Sequence, residues 1–456
     1  MTLTRPRDTR PAGTAARDAS DIGPVKRVIA GSLGAGVLLM LLLTVGVAGG
    51  AQEHVITAMA LLGAAAGWAL LAVLSTQLTN LPQRWAYAPA AVMSLTGVAL
   101  LLLAPDRAAL SAAGWVWPPL LLVLTVWMAR QSMRHLAGGQ RWVLVPALGA
   151  LLLVSLGGAY ETLALNGDSR TSAMPGHLYD VGGYRLHLDC TGTGSPTVVL
   201  LGGMGEMSPS WARIAPAVAT TTRVCTYDRA GQGWSESSPN AADGTHTARD
   251  LHALLQAAGE SGPYVLVGHS SGGVYGLTYA ADHPDEVAGM VLLDSSSPRQ
   301  VELVPSFALS SAVQRRVVAV LPTLARTGLS QLTPSSSALP SPAADQVASF
   351  ARSPRGLTNV RDEQAALQAA MRQAQALTTM GDRPLVVLTS QDELTHTPGW
   401  ATAQDQMAGL SSNSAHSVVD VTHAAMLEDP ASAVAAAGAI DDVVLSLRTH
   451  IQLPTP

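Results

Sequence analysis

Lysine is all but missing from this 456-residue chain: Lys26 is the only one, and every other fixed cation is an arginine. That is a composition bias rather than chemistry. Phenylalanine and cysteine occur twice each, and charged residues make up 13% of the whole. A formal net charge of -5 provides no basic field, so no nucleic-acid partner is expected. Neither cysteine has a metal-ligand spacing around it, and no phosphate loop or dinucleotide fingerprint occurs, so no cofactor or metal is expected.

Apolar residues are in excess, at 48%, and they are unevenly spread. Up to about Leu165 the chain is dominated by Ala, Leu, Val and Gly; beyond it the composition is that of an ordinary α/β sequence. Five apolar runs stand out, 28–49, 55–78, 88–104, 111–128 and 142–165, with Glu161 the one acid or base inside them. Each is roughly 17–24 residues long, and a helix crossing the hydrocarbon core needs about 20 at 1.5 Å rise. The first is too long for the apolar stretch of a signal peptide. Pro and Gly interrupt the third and fourth. The reading is an all-α membrane domain of five transmembrane helices over 28–165, behind a tail of residues 1–27.

Cations set its orientation. The tail carries Arg5, Arg7, Arg10, Arg17, Lys26 and Arg27, and the loops after the second and fourth runs carry Arg84 and Arg130, Arg134 and Arg141. The opposite side has only Arg107 and Arg170. Basic residues collect on the cytoplasmic face, so the tail is expected inside and everything after the fifth span outside. Trp85, Trp115, Trp117 and Trp142 sit near span ends as interfacial anchors. No series of ionisable groups that would make a proton relay or ion path is visible, which favours an anchor over a transporter.

A polar, small-residue linker, 166–176, follows, reaching about 30 Å if extended. Strand patterns then occupy 177–181 and 184–190 around Gly182-Gly183, a pair suited to a tight hairpin. Further strands are expected at 197–201, 223–227, 264–268, 290–293, 385–389 and 417–421, with a helical stretch at 211–220. The alternation from there is that of a parallel sheet flanked by helices.

The strand 264–268 runs into Gly268-His269-Ser270-Ser271-Gly272, with a helical pattern from Val274 to Asp282 beyond. This is G-x-S-x-G in the strand–turn–helix setting that it requires: the serine occupies a strained turn, and glycines let strand and helix approach. Ser270 is the candidate nucleophile, and Ser271 N–H a candidate oxyanion donor. His423, in a loop after the last strand, is the candidate base. For the acid that orients the imidazole, Asp392 after the strand 385–389 is placed first, with Asp294 at the end of 290–293 and Glu393 as alternatives. Gly202-Gly203-Met204-Gly205 follows the strand 197–201, which makes Met204 N–H the second oxyanion candidate.

Across about Tyr179 to Leu447 the chain resembles the α/β-hydrolase superfamily in its esterase, lipase and peptidase-like branch. The resemblance rests on Gly203 and Gly205, on Tyr227-Asp228-Arg229-Ala230-Gly231-Gln232-Gly233-Trp234-Ser235, on Pro263 to Ser270, on His283-Pro284 with Val287, and on His423 with Pro430. It implies an α/β-hydrolase fold with a helical cap, spanning 177–453 with the cap insertion at about 298–383. Helical stretches at 307–326 and 361–379 fall in that cap, and a Pro/Ser run at 333–342 reads as a mobile lid. Asp228-Arg229 would be structural. Relatives usually carry His where this chain has Gly202, which puts the rigidity of the oxyanion loop in question. Serine at 270 argues against the branches that use Asp there for dehalogenation or epoxide opening. Cys190 and Cys225 fall on strands that neighbour each other in this fold. A disulfide there would fit an extracytoplasmic domain, two buried thiols being the alternative. The function expected is a multi-pass cell-membrane serine hydrolase cleaving a small-molecule or lipid carboxylic ester through an acyl-enzyme. The alternatives are a peptidase, amidase or thioesterase on the same residues, or a non-catalytic membrane sensor or scaffold.

Overall fold

The computed structural model describes residues 14–136, 138–168, 174–333 and 337–454. They fall into two compact units, one built from the chain up to Ala164 together with Arg326–Leu329, the other from the remainder.

The first unit is helical: α1 (Thr14–Leu41), α2 (Glu53–Leu78), α3 (Tyr87–Leu103), α4 (Arg107–Ala113), α5 (Trp117–His135) and α6 (Val145–Asp168). Four stretches here, Gly23–Val47, Glu53–Leu78, Arg84–Leu103 and Val145–Ala164, are long and apolar enough to cross a membrane, and Pro430–Thr449 of the second unit also passes on length and composition. The fourth run is not one helix but the pair α4 and α5, bent by 45°. Gly114 lies in the turn between them, and Pro118 and Pro119 cannot donate the backbone N–H groups that a continuous helix would need, so α5 starts afresh with proline in its first turn. Glu161 in α6 is 2% exposed. The linker at 166–176 also differs, since α6 runs on to Asp168; residues 169–173, and 1–13 of the tail, lie outside the described residues.

Small residues let α1 and α2 pack backbone to backbone. A Cβ on Gly63 would sit 2.4 Å from Met40 Cα, and one on Gly36 would sit 2.7 Å from Gly67 Cα. Trp68 and Trp85 pack tilted with ring centroids 6.0 Å apart, and Trp85 and Trp127 pack edge to face at 6.4 Å.

The second unit is an eight-stranded sheet in the order β1-β2-β4-β3-β5-β6-β7-β8. Its strands are β1 (His177–Asp180), β2 (Arg185–Thr191), β3 (Val198–Leu201), β4 (Val224–Tyr227), β5 (Tyr264–His269), β6 (Val287–Leu293), β7 (Leu385–Ser390) and β8 (Ser414–Val419). The β1–β2 and β2–β4 pairs are antiparallel and the rest parallel. Gly182 and Gly183 take φ of 110° and 108° in the β1–β2 turn, where Asp180 Oδ1 accepts the Gly182 N–H at 2.8 Å. Strand β8 starts three residues earlier and ends two residues earlier than its pattern indicated, drawn into register with β7 from Leu385 opposite Ser414.

Its helices are α7 (Ala215–Val218), α8 (Gly244–Ala257), α9 (Ser271–Asp282), α10 (Gln300–Leu303), α11 (Phe307–Arg326), α12 (Ala343–Arg352), α13 (Pro354–Ala374), α14 (Gln391–His396), α15 (Trp400–Ala408) and α16 (Pro430–Thr449). Successive strand residues bury on opposite faces. Val199 and Leu201 pack with α8, α9 and α13, while Val198 and Leu200 pack with α7 and α16. A strand covered on both faces reads as a continuous apolar run, which is why all four residues of β3 are 0% exposed. The apolar face of α16 is spent in this core through Ile440, Val443 and Val444, which accounts for a helix of span-like composition here. Cys190 and Cys225 face each other in register across β2 and β4 and are joined as a disulfide. Helices α10 to α13 form the insertion between β6 and β7; residues 334–336 of its Pro/Ser run lie outside the described residues.

Gly63→Val forces side-chain atoms into the Met40 backbone. It will destabilise the α1–α2 pair by about 1–3 kcal/mol, read as a lower melting temperature of the detergent-solubilised protein; an unchanged melting temperature would refute this packing.

Candidate active site

Backbone geometry brings Ser270 to the carboxyl end of the sheet. It follows β5 and precedes α9 with φ 53° and ψ -124°, a conformation that L-residues rarely adopt. Close approach enforces this. A Cβ on Gly268 would lie 2.5 Å from Gly273 Cα, and one on Gly272 would lie 2.1 Å from Leu201 O. The turn is tied on both sides, Ser270 N–H donating to Leu293 O at 3.2 Å and Ser270 O accepting Ser296 N–H at 2.9 Å.

His423 lies in a turn beyond β8, with Nε2 3.0 Å from Ser270 Oγ and Nδ1 2.7 Å from Asp294 Oδ2. Burial alone would raise the Asp294 carboxyl, but its bonds to His423 and Ser390 hold it below the ordinary carboxylate value. An ionised carboxylate only accepts, so the imidazole proton is on Nδ1 and Nε2 is free to accept from the Ser270 hydroxyl. Burial lowers the His423 pKa, but the Asp294 hydrogen bond and charge outweigh it and the net shift is upward.

Asp392, the acid placed first from the sequence, is not the carboxylate that the structure brings to His423. Asp392 is in α14, half-exposed, with its carboxylate 3.0 Å from His396 Nδ1. Glu393 accepts from Thr397 Oγ1 at 2.5 Å. Neither bonds His423. Strand β7 continues to Ser390, and α14 begins at once and carries both carboxylates off the site. Asp294, 0% exposed, fills the position instead, at φ 40° directly after β6. Beyond His423, it accepts Ser390 N–H (3.1 Å), Ser390 Oγ (2.7 Å) and Trp400 Nε1 (3.0 Å). These two partners lie about a hundred residues away and had no sequence signal.

Ser271 follows Ser270 in the chain, and Met204 follows Gly203, the glycine that packs against Ser270. Among the described residues neither the Ser271 nor the Met204 N–H donates to another protein group. A Cβ on Gly203 would come within 2.9 Å of Ser270 Cβ, so only glycine lets this loop lie against the serine. The loop carries a carboxylate that sequence reasoning missed. Glu206 accepts Gly203 N–H at 2.5 Å and His269 Nδ1–H at 2.7 Å, and the His269 ring stacks on His423 with centroids 4.9 Å apart. Burial pushes the Glu206 carboxyl up, but His269 and the Gly203 N–H outweigh it and hold it below its ordinary value.

Asp228 is structural, accepting Ser208 N–H (2.6 Å) and Trp234 N–H (3.0 Å). Arg229 does more, reaching Gly202 O, Gly203 O and the buried Glu363.

One His-carboxylate group lies elsewhere, His252, His283 and Glu286 near the opposite ends of the strands. The two rings stack 4.2 Å apart at 4°, and Glu286 already accepts from Tyr279 and His252. Ring nitrogens in parallel planes cannot aim their lone pairs at one ion, so this is a hydrogen-bonded stack.

The family model described as alpha/beta hydrolase fold matches residues 196–430. Among curated proteins, the chain is 29% identical over 225 residues to an uncharacterised protein of Schizosaccharomyces pombe, covering 42% of this chain and 40% of that one. It is 32% identical over 145 residues to a fluoroacetate dehalogenase of a Burkholderia species, covering 31% and 44%. It is 33% identical over 131 residues to a 2-hydroxy-6-oxononadienedioate/2-hydroxy-6-oxononatrienedioate hydrolase of Paraburkholderia xenovorans, covering 27% and 44%. The chain spans less than half the length of these relatives. Among solved structures, Est816, titled an N-acyl homoserine lactone degrading enzyme, aligns with TM-score 0.43 at 22% identity, over 56% of this chain and 96% of that one.

Phosphonylation of Ser270 by a fluorophosphonate needs the neutral His423. Asp294 raises the pKa of His423, so the wild-type rate falls with acid at a higher pH than for a free imidazole of about 6.5. Asp294→Asn will lower the plateau rate on the order of 10³-fold and move that limb to lower pH, whereas Asp392→Asn will change neither. The reverse pattern in a pH–rate series would restore Asp392.

Proposed function

The chain belongs to the alpha/beta hydrolase family, which its residues 196–430 match over more than half its length, and from that membership we propose a membrane-anchored serine hydrolase of carboxylic esters. The observation that carries this reading is the series Ser270 Oγ, His423 and buried Asp294 at 3.0 and 2.7 Å, beside two unengaged N–H groups. His423 Nε2 takes the Ser270 proton as Oγ bonds to the acyl carbon, and the carbonyl electron pair moves onto oxygen. The N–H groups of Met204 and Ser271 hold that oxyanion. Collapse breaks the ester C–O bond, and His423 gives its proton to the departing alcohol. Water then attacks the acyl-enzyme with the same base, which frees the acid and restores Ser270. Asp294 holds the tautomer and offsets the imidazolium charge without itself becoming protonated.

Serine at 270 separates this reading from the dehalogenase and epoxide-opening branches, which use a carboxylate there. Candidate spans in the same chain favour an apolar, lipid-like acyl group. The excess of cations at the N-terminal end supports a cytoplasmic tail, and a disulfide fits a hydrolase unit on the oxidising side.

The test is hydrolysis of p-nitrophenyl esters from acetate to palmitate by the full chain in detergent, against Ser270→Ala. Wild-type turnover lost by more than about 10³-fold in the variant is expected, with an optimum at medium or long acyl chains. Wild-type activity no higher than the variant's on every ester would overturn the esterase.

A further inference from the structure

The loop carrying Met204 has two consecutive glycines and lacks the histidine usual at position 202, yet its two outward carbonyls are held. Arg229, 5% exposed, donates from Nη1 to Gly202 O and from Nη2 to Gly203 O at 2.8 Å. The same guanidinium donates to Glu363 Oε1 from Nε at 3.2 Å and Nη2 at 3.0 Å, and lies 4.7 Å above the Tyr275 ring centroid. It is thus fixed by two carbonyls, one carboxylate and one aromatic face.

In a trans peptide the C=O and the following N–H point in opposite directions. Holding Gly202 O therefore aims the Gly203 N–H away from Arg229, and that N–H donates to Glu206 at 2.5 Å. The next plane is held by Arg229 and also by the Glu206 N–H, which donates to Gly203 O at 3.2 Å. With Gly203 O on Arg229, the Met204 N–H faces away from the guanidinium, on the plane that lies against Ser270.

Glu363 belongs to α13, inside the cap insertion, 134 residues from Arg229 in sequence. It is 1% exposed and also accepts Gln232 Nε2 at 3.0 Å and Gly205 N–H at 3.4 Å. A buried guanidinium without a counter-ion is costly, so the cap carboxylate is what lets Arg229 stay at the loop.

We propose that Glu363 and Arg229 are positioning residues through which helix α13 sets the direction of the Met204 N–H. Leu367, Ala370 and Met371 hold α13 in the core with α8 and α9, so its carboxylate is presented to Arg229 from a fixed helix. This support stands in a chain that has no histidine at 202 to stiffen the loop.

This inference rests on the serine hydrolase reading, and the test separates the two. Full-length wild type, Glu363→Gln and Arg229→Lys are compared in detergent for the fluorophosphonate labelling rate of Ser270, for kcat and KM on the best p-nitrophenyl ester, and for melting temperature. Glutamine keeps the shape of Glu363 but not its charge. Lysine keeps the charge of Arg229, but a single ammonium cannot span two carbonyls and a carboxylate. The expected result is a 10- to 100-fold fall in kcat and labelling rate, below the full cost of about 10²–10³ for losing an oxyanion donor. KM stays within about twofold, and the acid limb set by His423 does not move. Affinity for an alkyl trifluoromethyl ketone, which Ser270 Oγ adds to as its proton passes to His423 and the carbonyl oxygen becomes an oxyanion, falls by the same factor as kcat. A merely structural pair would lower the melting temperature and leave the labelling rate of folded protein unchanged, which overturns the proposal. Should Glu363→Gln not fold, folded Arg229→Lys decides alone, and wild-type labelling by it overturns the proposal too. Wild-type protein that is not labelled at all sinks the hydrolase reading, and this one with it.

Discussion

The contact between the end of β3 and the start of α9 constrains everything at this site. Gly272 lies so close to Leu201 O that even a methyl group would overlap it, and a methyl group on Gly268 would overlap Gly273. That approach forces the residue between strand and helix to φ 53°, and the strain at Ser270 is held by its neighbours: Leu293 O on one side, Ser296 N–H on the other. Because β3 and β5 are adjacent parallel strands, the loop after β3 leaves the sheet beside the same turn, which brings Gly203 against the serine. The Ser270 turn and the Gly202–Gly205 loop are thus brought together by one packing contact.

Buried charge is the second constraint, and it is handled in one manner throughout. Asp294 has four hydrogen-bond donors, Asp228 has Ser208, Trp234 and His187, Glu206 has Gly203 and His269, and Glu363 has Arg229, Gln232 and Gly205. An ionised carboxylate costs several kcal/mol to bury without such partners. Burial pushes every one of these carboxyls up. For Asp294, Asp228 and Glu206 the partners outweigh it, while Glu363 stays above its ordinary value, since burial there outweighs Arg229. At His187 the two ring nitrogens face Asp228 and the Pro175 carbonyl; burial lowers its pKa, but the Asp228 hydrogen bond and charge outweigh it and the net shift is upward.

What was legible in the sequence follows from range. Ser270 and its strand–turn–helix are local, six residues of pattern between an apolar strand and a helix, and the structure places them there. His423 was found from its place after the last strand, although that strand starts three residues and ends two residues earlier than its pattern, because the turn and not the strand end carries the ring. The acid could not be decided in this way. Asp294 and Asp392 each follow a strand, and the choice depends on where β7 ends and on Trp400 and Ser390, side chains about a hundred residues from Asp294. Glu206 and Glu363 were invisible because a lone carboxylate has no pattern and its partners are fixed only by folding. In the helical unit, length and apolarity located the runs, but the bend at Gly114 comes from backbone donors missing at Pro118 and Pro119, which a hydropathy pattern does not weigh. The same measure cannot tell α16 from a span, since Ala and Val serve a sheet-packed helix as well as a lipid-exposed one.

The chain leaving β6 shows how an insertion can sit over a site without disturbing it. Asp294 follows the strand, Ser295 Oγ donates to Gly268 O at 2.7 Å, Ser296 N–H donates to Ser270 O, and Ser297 N–H is taken by Gln300. Ser295 and Ser296, the two residues after Asp294, thus bind the Gly268–Ser270 turn without using any residue of α10 to α13. The oxyanion loop is held differently. Gly202 O and Gly203 O are tied to Arg229, and Arg229 to Glu363 of α13, so this loop leans on a helix of the insertion in a way that the Ser270 turn does not.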